Sequence, residues 1–116
     1  MGRVAIGELV AAQIEDLEGI GNAEAIAAID GVDIGFLGPG DLAMSMGVET
    51  GSEPHEAALQ AFRQGCERAG TPSGIPTADG PTTTRRIQEG FLFIDLTNDM
   101  RLLQEGARVA LSQIDA

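Results

Sequence analysis

Two acids in this chain stand where a strand end would present them. Asp41 follows Phe36-Leu37-Gly38-Pro39-Gly40, an apolar run that stops abruptly at glycine and proline. Glu15 follows Leu9-Val10-Ala11-Ala12-Gln13-Ile14, a small-residue apolar run. Residues 33–37 read as a buried strand bounded by turn signals. Gly38 and Gly40 let the backbone turn tightly, and Pro39 stiffens the turn between them. Asp41 is thereby held at the carboxyl end of a strand, where α/β folds keep their chemistry. Strand alternation points Gln13 to the same side as Glu15. Two carboxylates at adjacent strand ends, completed by water and substrate oxygens, are how hard divalent cations are usually held. On the residues alone, Glu15 also reads as a solvated acid, and Asp41 as the N-cap of a short turn over 42–46.

The elements that must position these acids alternate regularly. After the strand ending at Glu15, Gly19-Ile20-Gly21 reads as a turn, and Asn22 caps a helix over 23–29. The strand over 33–37 and a short turn of helix or structured loop over 42–47 come next. A long helix over 55–69 carries Ala58, Leu59, Phe62 and Cys66 at the spacing of one buried face, and Gly70 closes it. Residues 73–76 form a short strand that Pro76 limits. Asp79-Gly80-Pro81 opens a helix over 82–89, and residues 91–96 are the most strongly apolar strand. Asn98 or Thr97 caps a last helix, Asp99–Ser112. The order is β-α-β-α-β-α-β-α, and three of the four strands lack clean alternation, as strands buried in a parallel sheet do. Right-handed crossovers follow. An open α/β sheet and half of a (β/α)8 barrel both satisfy this pattern.

Composition narrows the chemistry. The 116 residues suffice for one domain, residues 1–116, with a modest core, and 43% of them are hydrophobic. The net charge of −11 disfavours nucleic acid and anionic membranes, which need clustered cations. All seven bases are arginine, so no lysine is present to form a Schiff base. High salt or genomic base composition would each favour such a lysine-free surface. The single cysteine, Cys66, excludes an internal disulfide. No apolar run reaches membrane-span length and Met1-Gly2-Arg3 opens no signal peptide, so the expected location is cytoplasmic. Arg3-Val4-Ala5-Ile6 reads as a frayed strand or a helix remnant.

Taken together, several runs resemble the HpcH/HpaI aldolase family, which includes 4-hydroxy-2-oxoheptanedioate and 2-dehydro-3-deoxyglucarate aldolases. The resemblance lies in Gln13-Ile14-Glu15, Ile26-Ala27-Ala28-Ile29-Asp30-Gly31-Val32-Asp33 and Phe36-Leu37-Gly38-Pro39-Gly40-Asp41-Leu42. It continues through Met46-Gly47, His55-Glu56, Ala69-Gly70, Gly74-Ile75 and Glu89-Gly90-Phe91-Leu92-Phe93-Ile94. It implies an α/β fold of four β/α units, the second half of a TIM (β/α)8 barrel, whose last helix is exchanged between subunits. It implies a class II aldolase, a carbon–carbon lyase that uses Mg2+, Mn2+ or Co2+ to stabilise a pyruvate enolate. By carry-over, Glu15 and Asp41 are metal ligands. Gln13, Gly38, Gly40 and Asp41 line the site of a pyruvate-like 2-oxo acid.

The departures from that family are equally specific. Its catalytic arginine and general-base histidine belong to the first half of the barrel, which has no counterpart here. His55, the sole histidine, matches a position outside the site and is read as a first-turn surface residue. Pro76 stands where an aliphatic residue is common, and Thr97-Asn98-Asp99 replaces a glycine-containing turn. Arg85-Arg86 reads as an exposed pair, and Met44 and Met46 as packing residues. Open sheet edges favour association, so a homo-oligomer is expected, most simply a dimer of half barrels or one exchanging Asp99–Ser112. Three functions remain: a metal-dependent lyase completed by another chain, a non-catalytic binder of cation and 2-oxo acid, and an inactive remnant.

Overall fold

The computed structural model describes residues 7–115; the reading of residues 3–6 lies outside them. Four strands and six helices follow in chain order among these residues. They are β1 (Ala11–Ile14), α1 (Leu17–Gly21), α2 (Ala23–Ala27), β2 (Ile34–Leu37), α3 (Pro39–Met46), α4 (Glu53–Ala69), β3 (Ser73–Thr77), α5 (Gly80–Glu89), β4 (Phe93–Leu96) and α6 (Asp99–Ser112). The strands form one parallel sheet in the order β1-β2-β3-β4, the half-barrel alternation expected from the sequence. No helix among the described residues is long and apolar enough to cross a membrane.

One face of the sheet carries the core. Ala58, Leu59, Phe62 and Cys66 of α4 are all buried, as their spacing predicts. They pack with Ile14, Ala23, Ala27, Leu37 and Ile75, and Phe62 stacks on Phe91 with ring centroids 6.5 Å apart. Gly35 lets α4 approach: a Cβ there would lie 2.5 Å from Cys66 Sγ and 3.4 Å from Phe62 Cζ. The Gly35→Ala variant is therefore expected to lose about 1–3 kcal/mol of stability through overpacking. In a Cys66→Ala background most of that loss should vanish, because the clashing sulfur is gone. Urea midpoints of the four proteins in this cycle test it; a penalty that Cys66→Ala leaves unchanged refutes the contact. Burial also pushes the Cys66 thiol up to about 11, so it stays protonated and acts as a small apolar residue.

Several expected elements differ, each for a local reason. Gly19-Ile20-Gly21 is not a turn but the end of α1: Asp16 caps it by accepting from the Gly19 N–H at 2.7 Å, which holds the glycines helical. The strand over 91–96 shrinks to β4 and is largely exposed, because it pairs on one side only. Pro76 is tolerated inside β3 because pairing with β2 stops at Gly74, so no ladder bond is lost on that side. Met46 packs against the core as read, whereas Met44 is 81% exposed. The helix α6 has the predicted bounds and is capped by Asn98, which accepts from the Arg101 N–H. None of its residues is buried.

Arg85-Arg86 is not an exposed pair. Consecutive helical residues point about 100° apart, so one faces α4 and the other faces water. Arg86 is buried, and its Nη1 and Nη2 donate to Glu56 Oε2 and Oε1 at 2.7 and 2.8 Å. Nη1 also donates to Glu89 Oε2 at 2.9 Å, and Gln60 holds Glu89 from α4. The Arg86 hydrogen bonds hold the Glu56 carboxyl below its ordinary 4.5. A carboxyl lowered on folding contributes stability that is complete above its unfolded value and lost as pH falls through its folded one. The urea midpoint should thus fall between about pH 5 and pH 3, more steeply in the native sequence than in Arg86→Ala. Parallel slopes would show that other carboxyls dominate.

Candidate functional site

Of the predicted site residues Gln13 lies in β1, Glu15 and Gly38 directly follow β1 and β2, and Gly40 and Asp41 open α3. Gln13 of β1 pairs with Phe36 of β2, Phe36 with Gly74 of β3, and Gly74 with Phe93 of β4. Phe36 and Phe93 meet edge to face with centroids 6.0 Å apart, spanning the space above side-chain-free Gly74. At the carboxyl end of this row β1 runs into Glu15 and β2 into Gly38. The Gly38 N–H donates to the Ile14 carbonyl at 2.9 Å, which locks the two strand ends together.

Gly38 is buried and makes room for its neighbours. A Cβ there would lie 2.9 Å from Glu15 Oε2 and 3.0 Å from Gln13 Nε2. Gln13 Nε2 in turn donates to Glu15 Oε2 at 3.1 Å, so the carboxylate is held over the glycine. The structure thus brings Gln13, Glu15 and Gly38 into one cradle.

Asp41 lies in the first turn of α3 and is exposed. It does not cap a turn over 42–46, as one reading of the sequence had it. The cap position belongs to Gly38, whose carbonyl accepts from the Leu42 N–H at 2.9 Å, and Pro39 takes the first helical position. Gly40 is exposed, and a Cβ there would meet nothing within 4 Å. The neighbouring acid Asp16 is committed to capping α1, which leaves Glu15 as the available carboxylate on that strand end. Among the described residues no arginine pairs with Glu15 or Asp41.

This donor set suits a hard cation. It offers the exposed Glu15 carboxylate just past β1, held by the Gln13 amide beside a glycine whose Cβ would fill the cradle, and the exposed Asp41 carboxylate in the first turn of α3, neither paired with an arginine among the described residues. Among the described residues no group of three or more His, Cys, Asp and Glu side chains gathers to hold a metal ion. The remaining coordination would fall to substrate and water oxygens.

His55, like Arg86, is misplaced by sequence reasoning. It is 1% exposed, not a surface residue. Its Nδ1 accepts from the Gly51 N–H at 3.0 Å, and its Nε2 lies 2.8 Å from the Pro39 carbonyl oxygen. The available signal was its place beside Pro54 in the first turn of α4, four residues from Gly51.

The family model described as HpcH/HpaI aldolase/citrate lyase matches residues 2–106. The chain is 37% identical over 99 residues to a hydroxypyruvate/pyruvate aldolase of Pseudomonas aeruginosa, covering 83% of this chain and 37% of that protein. It is 36% identical over 101 residues to a 4-hydroxy-2-oxo-heptane-1,7-dioate aldolase of Salmonella paratyphi C, covering 84% and 38%. Among solved structures, an HpcH/HpaI aldolase/citrate lyase family protein from Burkholderia cenocepacia J2315 superposes with a TM-score of 0.86 at 31% identity. That match covers 90% of this chain and 42% of the other. The chain thus spans well under half the length of these relatives.

Proposed function

Because the chain belongs to the HpcH/HpaI aldolase/citrate lyase family, we propose that it forms the cation- and 2-oxo-acid-binding half of a class II aldolase. The observation that carries this reading is the Glu15 carboxylate fixed by Gln13 over Gly38, on the strand paired with the one that leads to Asp41. Glu15 and Asp41 would hold Mg2+, Mn2+ or Co2+. When bound, such a cation supplies Lewis-acid stabilisation of an enolate formed from a pyruvate-like acid.

The chain's own residues bind and orient. Gln13 keeps the Glu15 carboxylate turned to the cradle. Gly38 and Gly40 keep side chains out of the space a small 2-oxo acid would take. The first N–H groups of a helix have no intrahelical partner, and its dipole favours negative charge, so Gly40 and Asp41 at the start of α3 suit the acid's carboxylate. Proton transfer needs another group. Both His55 ring nitrogens are engaged behind α3, so His55 is not a free base. That group would come from a segment or subunit that supplies the first half of the barrel.

Association is part of this reading. The β4 edge exposes Phe93 and Leu96, and α6 exposes Leu102, Leu103 and Leu111. These apolar residues support a homo-oligomer, a dimer or higher. Size-exclusion chromatography with light scattering tests it, and a monomer at micromolar concentration would count against it.

The function is tested by calorimetry with Mn2+, then with oxalate or pyruvate. Mn2+ binding that in turn creates oxalate binding supports the reading, and no Mn2+ binding rejects it. The engaged His55 favours a second reading, a binding half without turnover. Mn2+-dependent oxalate binding with no release of pyruvate from 4-hydroxy-2-oxo acids would select that one.

A further inference from the structure

We propose that His55 is a positioning residue that straps the start of α3, and through it the Gly38–Asp41 segment, into its cation-binding place. The inference rests on the reading that Glu15 and Asp41 hold a divalent cation, and adds a residue that touches neither. His55 sits in the first turn of α4 and bonds in two directions. The Gly51 N–H can only donate, so Nδ1 accepts and carries no proton. The Pro39 carbonyl can only accept, so Nε2 carries the proton and donates to it at 2.8 Å. These two partners fix one neutral tautomer.

The two bonds join opposite ends of one excursion of the chain. Gly51 lies in the turn after α3 and adopts the left-handed φ of 83°. Pro39 is the first residue of α3, flanked by Gly38 and Gly40. Glycine on either side leaves that backbone intrinsically loose, since it lacks the Cβ that restricts φ and ψ. The helix is anchored below by buried Leu42 and Ala43, but the exposed Gly40 and Asp41 have no such packing. The imidazole bond to the Pro39 carbonyl therefore holds this first turn from the α4 side, as the Gly38 N–H bond to the Ile14 carbonyl holds it from the sheet.

Two substitutions separate the bonds. In His55→Gln the terminal amide reaches as far as Nε2 and can still donate to Pro39. In His55→Asn the side-chain oxygen takes the Nδ1 position, keeping Gly51 but losing Pro39. Mn2+ affinity is read by calorimetry, and hydrogen exchange of the Leu42 amide, bonded to the Gly38 carbonyl, is read without metal. His55→Asn should weaken Mn2+ binding by about 10- to 100-fold, while His55→Gln stays within about threefold of the native protein, as when a metal ligand's supporting partner is lost or kept. Leu42 exchange should quicken in His55→Asn and not in His55→Gln. Equal Mn2+ affinities for the two variants, or unaltered Leu42 exchange in His55→Asn, overturn the proposal. If the native protein binds no Mn2+, the metal reading fails and Leu42 exchange still decides the strap. If His55→Asn does not fold, His55→Gln decides alone: native-like Mn2+ affinity and exchange support the strap, and a shift in either overturns it.

Discussion

Replacing Glu15 by glutamine or Asp41 by asparagine is expected to weaken Mn2+ binding by at least about a hundredfold, since ligand charge tunes oxygen sites over decades of affinity. Each change removes one of the two negative charges and leaves shape nearly intact. Both acids are exposed, so stability should stay within about 0.5 kcal/mol of the native protein. That separation of binding from folding makes the experiment decisive. Gly38→Ala is a graded companion. Its Cβ would meet Glu15 Oε2 at 2.9 Å, and the flexible carboxylate would swing away and not unfold the chain. Glu67→Gln, an acid of α4 that is 70% exposed and paired with Arg63, serves as the control for lost charge alone. Calorimetric Mn2+ titrations of the four variants check this. Equal weakening in Glu67→Gln would mean that general acidity attracts the cation, not a site.

Arg86→Ala should cost about 3–5 kcal/mol, the range for removing one partner from a buried ion pair. The Arg86 side chain is 6% exposed, and the Glu56 and Glu89 side chains it holds are only 27% and 24% exposed. Without it Glu56 and Glu89 face each other across the α4–α5 contact with only Arg85, at 3.7 and 4.0 Å, to offset them. Glu56→Gln should cost less, because Arg86 keeps Glu89. Urea midpoints rank the two variants. A smaller loss for Arg86→Ala than for Glu56→Gln would mean that the network is not organised around the arginine.

The repeating βα order was legible because it rests on local signals: apolar runs, glycine stops and capping acids. Asp79 and Asn98 cap the helices they precede, and Gly70 and Gly90 stop helices with left-handed φ of 70° and 108°. The cradle of Gln13, Glu15 and Gly38 was legible too, since strand alternation and one glycine define it. What stayed hidden depends on contacts across the fold. His55 and Arg86 look like ordinary polar residues of helix surfaces. Their burial is decided by Pro39 and Glu56, 16 and 30 residues away. Periodicity reports which face of a helix is apolar, but not which polar residue finds a buried partner there. The exposure of β4 was hidden for a related reason, because an apolar run does not say whether its strand has one neighbour or two.

The order of the strands has a consequence for how the chain reaches this structure. Among the described residues every ladder joins strands that are neighbours along the chain: Ala11 meets Ile34, Gly35 meets Ser73, and Gly74 meets Phe93. None of these pairings waits for a distant segment to return, so each step closes a loop of modest length, and loop-closure entropy rises only slowly with length. Parallel sheets whose first and last strands pair must hold most of the chain in order before that closure is rewarded, and such non-local pairing slows folding. Here the sheet grows one βα unit at a time. The slow step is therefore expected at the seating of α4 on β2, where Phe62 and Cys66 meet Gly35, and not at any global closure.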